Sequence, residues 1–187
     1  MIKGARHLFS GKLVRIRAME KTDLDNVMQW INNPEITQYL LAFTLPMSRA
    51  AEEKWLESAT HHTESDKLFA LETLSGEYLG GCGFHRIDSL NRHAEIGIAI
   101  GVQTHLGKGY GQDAVRILLR LGFHALNLNK IYLRVFSGNT RAIRCYEKCG
   151  FKEVGRLRQH RFAVGEWHDE VIMEVMRSEW EACRGVS

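Results

Sequence analysis

Gly107, Gly109 and Gly111 alternate immediately ahead of an amphipathic stretch, and this arrangement constrains the chain more than any other. Residues 92–102 before them read as a strand. Residues 112–126 after them place Ala114, Ile117, Leu118 and Leu121 on one face of a helix. Strand, glycine turn and helix start together make an anion site. Glycines let the backbone turn sharply and approach a ligand, and the first helical N–H groups and the helix dipole point at it. Lys108 adds a positive charge. A P-loop is excluded, because Val102 stands where its first glycine belongs and Gly109 where its Ser or Thr belongs. Gly109, Gly111 and Ala114 do spell the dinucleotide pattern G-x-G-x-x-A. The next strand, however, ends Val135-Phe136-Ser137-Gly138, without the acid that would hold a ribose hydroxyl.

Around this loop the chain reads as one domain, without repeats, low-complexity tracts or a Pro/Gly/Ser linker. Residues 12–19 suit a first strand. Thr22-Asp23-Leu24-Asp25 resembles a capping box opening a helix through Trp30, which Asn32-Asn33-Pro34 breaks. Ser48 can cap a second helix, with Ala51, Trp55, Leu56 and Ala59 at helical spacing. Three strands follow, 67–73, 78–87 and 92–102, turned by Ser75-Gly76 and by residues 88–91. After the helix at 112–126 come a strand at 130–136, a helix capped by Asn139 or Thr140 and stopped at Gly150, and two strands within 151–176. The order β-α-α-β-β-β-α-β-α-β-β predicts a mixed-sheet α+β or α/β layered fold.

Charge is divided along the chain. Between Leu106 and His160 there are eleven Lys/Arg and three Asp/Glu; between Glu20 and Thr104 there are six and thirteen. The later half suits a polyanion and the earlier half tolerates a cation, unless these are simply two solvated faces. A hydrophobic share of 44% with 25% charged residues is an ordinary globular balance. Four cysteines without a Cys-x-x-Cys pair, no signal peptide and no long apolar run point to the cytoplasm and away from membranes. The basic half carries no recognised nucleic-acid motif and no aromatic interleaving, so no nucleic-acid partner is expected.

Two segments carry a resemblance. Leu106-Gly107-Lys108-Gly109-Tyr110-Gly111 matches the loop [R/Q]-x-x-G-x-[G/A] of the GNAT acetyltransferase superfamily at Gly109 and Gly111, and departs from it at Leu106. About 30 residues on, the run Asn139 to Phe151 matches N-x-x-A-x-x-x-Y-x-x-x-G-F at Asn139, Ala142, Tyr146, Gly150 and Phe151. The chain resembles this superfamily over nearly its whole length, in particular its RimJ/RimL-like branch. The resemblance implies a mixed sheet of about seven strands, with a splayed V between two middle strands and four flanking helices. It implies acetyl-coenzyme A as co-substrate, no metal, an amine acceptor, and leaves room for a homodimer. The branch suggests a protein N-terminal α-amine, as on a ribosomal protein, with a polyamine or aminosugar as the rival. A non-catalytic coenzyme-binding module on the same fold is the other class.

Acetyl transfer needs a neutral amine, a polarised carbonyl and a proton for the departing thiolate. By resemblance Tyr146 is the acid, against a reading as a core tyrosine. Glu95 is the candidate base. On its strand Ala94, Ile96, Ile98 and Ile100 face one way, leaving Glu95 beside the small Gly97 and Ala99 on a face open to a slender ligand. The resemblance assigns coenzyme contacts to the amides of Ile98, Ala99 and Ile100, freed by a strand bulge. It adds the whole 106–111 loop, Asn139, Ala142 and Lys148. His85, His93 and His105 are possible auxiliary bases. The two predicted N-terminal helices and the 39–46 connection form the expected acceptor wall.

Overall fold

The computed structural model describes residues 8–40, 45–163 and 165–184. Residues 41–44 of the expected acceptor wall lie outside them. The elements run β1 (Val14–Ala18), a 3-10 turn (Lys21–Asp23), α1 (Leu24–Met28), α2 (Pro34–Thr37), α3 (Arg49–Ala59), β2 (Lys67–Thr73), β3 (Tyr78–Asp88) and β4 (His93–Ile100). After a second 3-10 turn (Gln103–His105) come α4 (Tyr110–Arg120), a π-helical turn (Leu121–Ala125), β5 (Lys130–Phe136), α5 (Thr140–Glu147), β6 (Lys152–Ala163), β7 (Glu166–Met176) and α6 (Arg177–Arg184).

The seven strands form one sheet in the order β1-β2-β3-β4-β5-β7-β6. Only β4 and β5 are parallel, and their pairing covers just His93↔Lys130, Ala94↔Ile131 and Glu95↔Tyr132. Beyond Glu95, β4 stays on β3 as far as Gly80↔Ile100, while β5 follows β7 as far as Phe136↔Glu170. This is the expected V, with its apex at Glu95. The bulge is not within the open part of β4: the register slips between His85 and Asp88 on β3, where Arg86 takes φ 50°. A bulge re-aims the side chains beside it, and here it turns Arg86 towards Glu95.

Alternation along the strands feeds both faces of the sheet. Phe69 and Leu71 of β2 join the main core with Phe84, Ile117, Leu118, Ile131 and Leu133. Ala70 between them packs instead with Met19, Leu24, Leu56 and Ala59, under α1 and α3. The sheet is therefore covered on both sides, as the layered reading requires.

Local details depart from the sequence expectation in instructive ways. Six α-helices rather than four are present among the described residues, because α2 is a single turn capped by Asn33 and α6 lies past the last predicted strand. Glu20, not Thr22, caps the first turn, in a reciprocal box with Asp23. The buried face of α3 is Glu52, Leu56 and Ala59, while Ala51 and Trp55 point outwards. The regular part of α5 ends at Glu147, and Gly150 at φ 97° turns the chain out. No helix among the described residues is long and apolar enough to cross a membrane.

Asp113 ties the helix after the glycine loop to the edge of the sheet. Its carboxylate accepts the backbone N–H of Leu13 at 2.7 Å and of Val14 at 3.1 Å, from 8% exposure. Gly11 passes so close to it that any side chain there would overlap the carboxylate. Asp113→Ala strands two donors at once and is expected to cost about 3 kcal/mol. Urea unfolding at neutral pH reads the loss, and a cost below about 1 kcal/mol would show that the strand ladder alone holds β1.

Candidate active site

Gly107 and Gly109 take φ 78° and 90°, values that a side chain makes costly. They bring the chain round into α4, whose N-cap is Gly109, without a capping side chain. The first N–H groups of a helix have no intrahelical acceptor, so this start presents donors where the ladder of β4 ends. A side chain at Gly107 would meet nothing within 4 Å, and one at Gly111 would meet Ile100 and Cys145 at 3.6 and 3.8 Å. The cradle thus has bare backbone on its walls, as a pyrophosphate requires.

The loop borders a cavity of about 900 Å³ that runs along the parted strands to α1, α2 and α3. Of the residues expected from the sequence, Tyr146, Glu95, Ile98, Ala99, Ile100, Leu106, Gly107, Gly109, Gly111, Asn139, Ala142 and Lys148 line it. Lys108 and Tyr110 do not. Lys108 is exposed, and Tyr110 packs on the core with its ring 4.9 Å from that of His105. Positive charge comes instead from α5, where Arg141, Arg144 and Lys148 project at helical spacing. That spacing was visible in the sequence. Asn139 spends its side chain on the helix, accepting the N–H of Ala142 at 3.1 Å.

Tyr146 is 8% exposed and edge-on to Phe151, with centroids 5.9 Å apart. Burial, with smaller contributions from the Cys145 and Cys149 thiols, pushes its phenol above the usual range, so it keeps its proton at neutral pH. No described residue hydrogen-bonds its hydroxyl. The tyrosine is therefore at once a core residue and a wall of the cavity, and the two readings of it are compatible.

Glu95 corrects the expectation of an open carboxylate. It is 7% exposed, with Oε2 accepting from Arg86 Nη1 at 3.0 Å and Oε1 from Arg134 Nε at 2.9 Å. Arg134 also donates to Glu170 at 3.1 Å. Burial disfavours the Arg134 charge, but the two carboxylates outweigh it and raise its pKa. Neither arginine was foreseen, because β5 and the β3 bulge reach Glu95 only through the tertiary fold.

The cavity lining also carries carboxylates that sequence reasoning did not single out: Glu35 on α2, Glu52 on α3 and Asp66 before β2. Asp66 accepts from His85 Nδ1 at 3.0 Å. Glu52 differs from these. It is 2% exposed, no described residue hydrogen-bonds or ion-pairs with its carboxylate, and burial pushes that carboxyl above the usual range. Among the described residues no cluster of three or more His, Cys, Asp or Glu could hold a metal.

Residues 14–152 match the acetyltransferase (GNAT) domain family. An uncharacterized N-acetyltransferase, p20, of Bacillus licheniformis is 32% identical over 88% of this chain and 93% of its own length. The spermidine N(1)-acetyltransferase of Vibrio cholerae is also 32% identical, over 88% of this chain and 94% of its own. A crystal structure of V. cholerae spermidine N-acetyltransferase with CoA and spermine superposes at a TM-score of 0.82, with 30% identity, covering 90% of this chain and 98% of that one.

Gly109→Ala places a side chain at φ 90° at the start of α4, a strain of about 1–2 kcal/mol. It is expected to weaken acetyl-coenzyme A binding about tenfold with the amine KM unchanged. Calorimetric titration with the coenzyme checks this; undiminished affinity would remove the loop from the cradle.

Proposed function

Since the chain belongs to the GNAT acetyltransferase family, we propose that it moves acetyl from acetyl-coenzyme A to a primary amine of a polyamine such as spermidine. The observation that carries this acceptor is Glu52, a buried carboxylate that no described residue pairs, on a cavity wall it shares with Glu35 and Asp66. A buried charge is costly until it is paired, and an ammonium group of the acceptor is the pairing it lacks. A polyamine offers one amine to react and further cations to be held. The likeness to spermidine acetyltransferases supports the same choice. A protein N-terminal α-amine, the first acceptor suggested by the sequence, brings a single charge and leaves the acidic end unexplained.

In this reading the loop 106–111 and the start of α4 hold the pyrophosphate through backbone N–H groups, with Lys148 and the α5 arginines adding charge. Lys108 supplies only long-range attraction. The β4 segment of Ile98, Ala99 and Ile100 lies along the pantetheine arm, whose slender chain suits the parted strands, and Asn139 and Ala142 form the start of α5 beside it. Tyr146 gives its proton to the departing thiolate. Glu95, held by two arginines, keeps the apex of the V open.

An amine panel of polyamines, aminosugars and peptides, read by thiol release from acetyl-coenzyme A, tests the acceptor. Turnover on peptides with none on spermidine would sink it. Tyr146→Phe is expected to lower kcat about 100-fold with coenzyme affinity unchanged, and an unaltered kcat removes the assignment. Glu52→Gln separates binding from stability. A carboxyl with a raised folded pKa costs stability as pH rises through its unfolded value, 4.5, towards the folded one, and the cost persists above. The variant should therefore melt higher at neutral pH while its polyamine KM rises about tenfold; a lower Tm with an unchanged KM would show Glu52 to be structural.

A further inference from the structure

Binding an amine as an ammonium creates a problem that the acceptor end must solve, because nitrogen attacks only as the free base. The group that removes the proton must face the apex of the V and must have a lone pair to spare. Glu95 faces it, but each of its oxygens already accepts from a guanidinium. His105 lines the cavity with its ring against Tyr110 and Nε2 3.4 Å from Glu77. His93 lies edge-on to Tyr132 and does not line the cavity.

His85 meets both demands. It stands on β3 directly opposite Glu95 in the ladder, and so on the same face of the sheet. Its Nδ1–H donates to Asp66 Oδ1 at 3.0 Å, which fixes the tautomer with the lone pair on Nε2. That nitrogen lies over Gly97 of β4, 3.2 Å from where a side chain would begin. The missing side chain leaves the imidazole facing the strand on which the V opens. Both His85 and Asp66 are 41% exposed, so a proton taken up there has a path to water. The Ser65 hydroxyl, and after it His85, keep Asp66 below the usual carboxylate range against desolvation.

We propose that His85, oriented by Asp66, is the catalytic base that takes the proton from the attacking amine. The inference rests on the family's acetyl transfer and on the amine entering from the acid-lined end. The ammonium first gives one proton to His85 Nε2, which passes it to water; the freed lone pair then forms the N–C bond at the thioester carbonyl as the second proton on nitrogen passes to His85 Nε2. The C–S bond then breaks, and the thiolate leaves with the proton of Tyr146. His85 releases its second proton to water and Tyr146 regains one from it, so the sum is ammonium plus acetyl-coenzyme A giving amide, coenzyme thiol and one proton to water. The charged groups facing His85 are Asp66 ahead of β2, Arg86 beside it on β3, and Glu95 across on β4, itself paired with Arg86 and Arg134.

The test is a pH–rate profile of full-length enzyme on whichever amine of the panel turns over fastest. A failure of the polyamine assignment alone therefore leaves this test intact. In the wild type kcat is expected to rise with pH, as it does when a base on the enzyme must accept the amine's proton. His85→Gln is expected to lower kcat about 100-fold and to abolish that rise, with coenzyme affinity and Tm unchanged, and added imidazole should restore part of the rate. Asp66→Asn should shift the rise to lower pH with little change in KM, a displacement that a merely structural role would not produce. Glu95→Gln should keep the rise. The proposal is overturned if His85→Gln keeps both kcat and the rise, or if Glu95→Gln alone loses it.

Discussion

Parallel strands that share a ladder for three residues and then separate leave one edge of each without its neighbour, and backbone polar groups in such a place require other partners. In this protein the separation begins at Glu95. Arg86 arrives there from the β3 bulge and Arg134 from β5, and both guanidinium groups settle on one carboxylate, with Glu170 of β7 taking a further N–H. A buried carboxylate is tolerable only with such pairing. The cluster acts as a wedge: it satisfies the apex with ions, so that β4 and β5 need not close on each other. The cavity, the exposed edge of β4 and the placing of α4 and α5 at its mouth all follow from that opening.

Charge is then distributed along the opening by the elements that line it. The glycine loop and α5 bring helix-start N–H groups and three cations to the cavity, and α2, α3 and the segment before β2 bring carboxylates. In the proposed reading, this mixed lining attracts both a polyanionic donor and a cationic acceptor to one space. The two groups proposed to move protons, Tyr146 on α5 and His85 on β3, both line the same cavity. Glu52 shows the cost of this arrangement. The fold keeps a buried carboxylate that no described residue pairs, which penalises the free protein; in the proposed reading an acceptor cation supplies the missing partner.

Much of the architecture was legible because it rests on local patterns. The alternation Ala94, Ile96, Ile98, Ile100 and the helical face Ala114, Ile117, Leu118, Leu121 both emerged as buried or core-packed, because period and burial are coupled in any amphipathic element. Errors arose where a polar residue occupied a core-facing position or where the chain turned in one step. Glu52 hid the true face of α3, since hydrophobicity alone favoured Ala51 and Trp55. The cap at Glu20 was missed because a glutamate is an uncommon N-cap. The single-turn α2 is too short for any periodicity to register.

Gly107, Gly109 and Gly111, together with the run from Asn139 to Phe151, determined by sequence alone that a glycine turn leads into a helix and that a tyrosine follows on the next one. Those features depend on conformations and spacings that neighbouring residues enforce. What only the tertiary structure decided is which charges meet. The expected open base, Glu95, became a paired wedge, the expected phosphate partner Lys108 turned to solvent, and His85 and Asp66, 19 residues apart, came together. Such pairings are set by strand register, by one bulge at Arg86 and by the order in which the sheet is assembled. None of these is a property of any single stretch of chain.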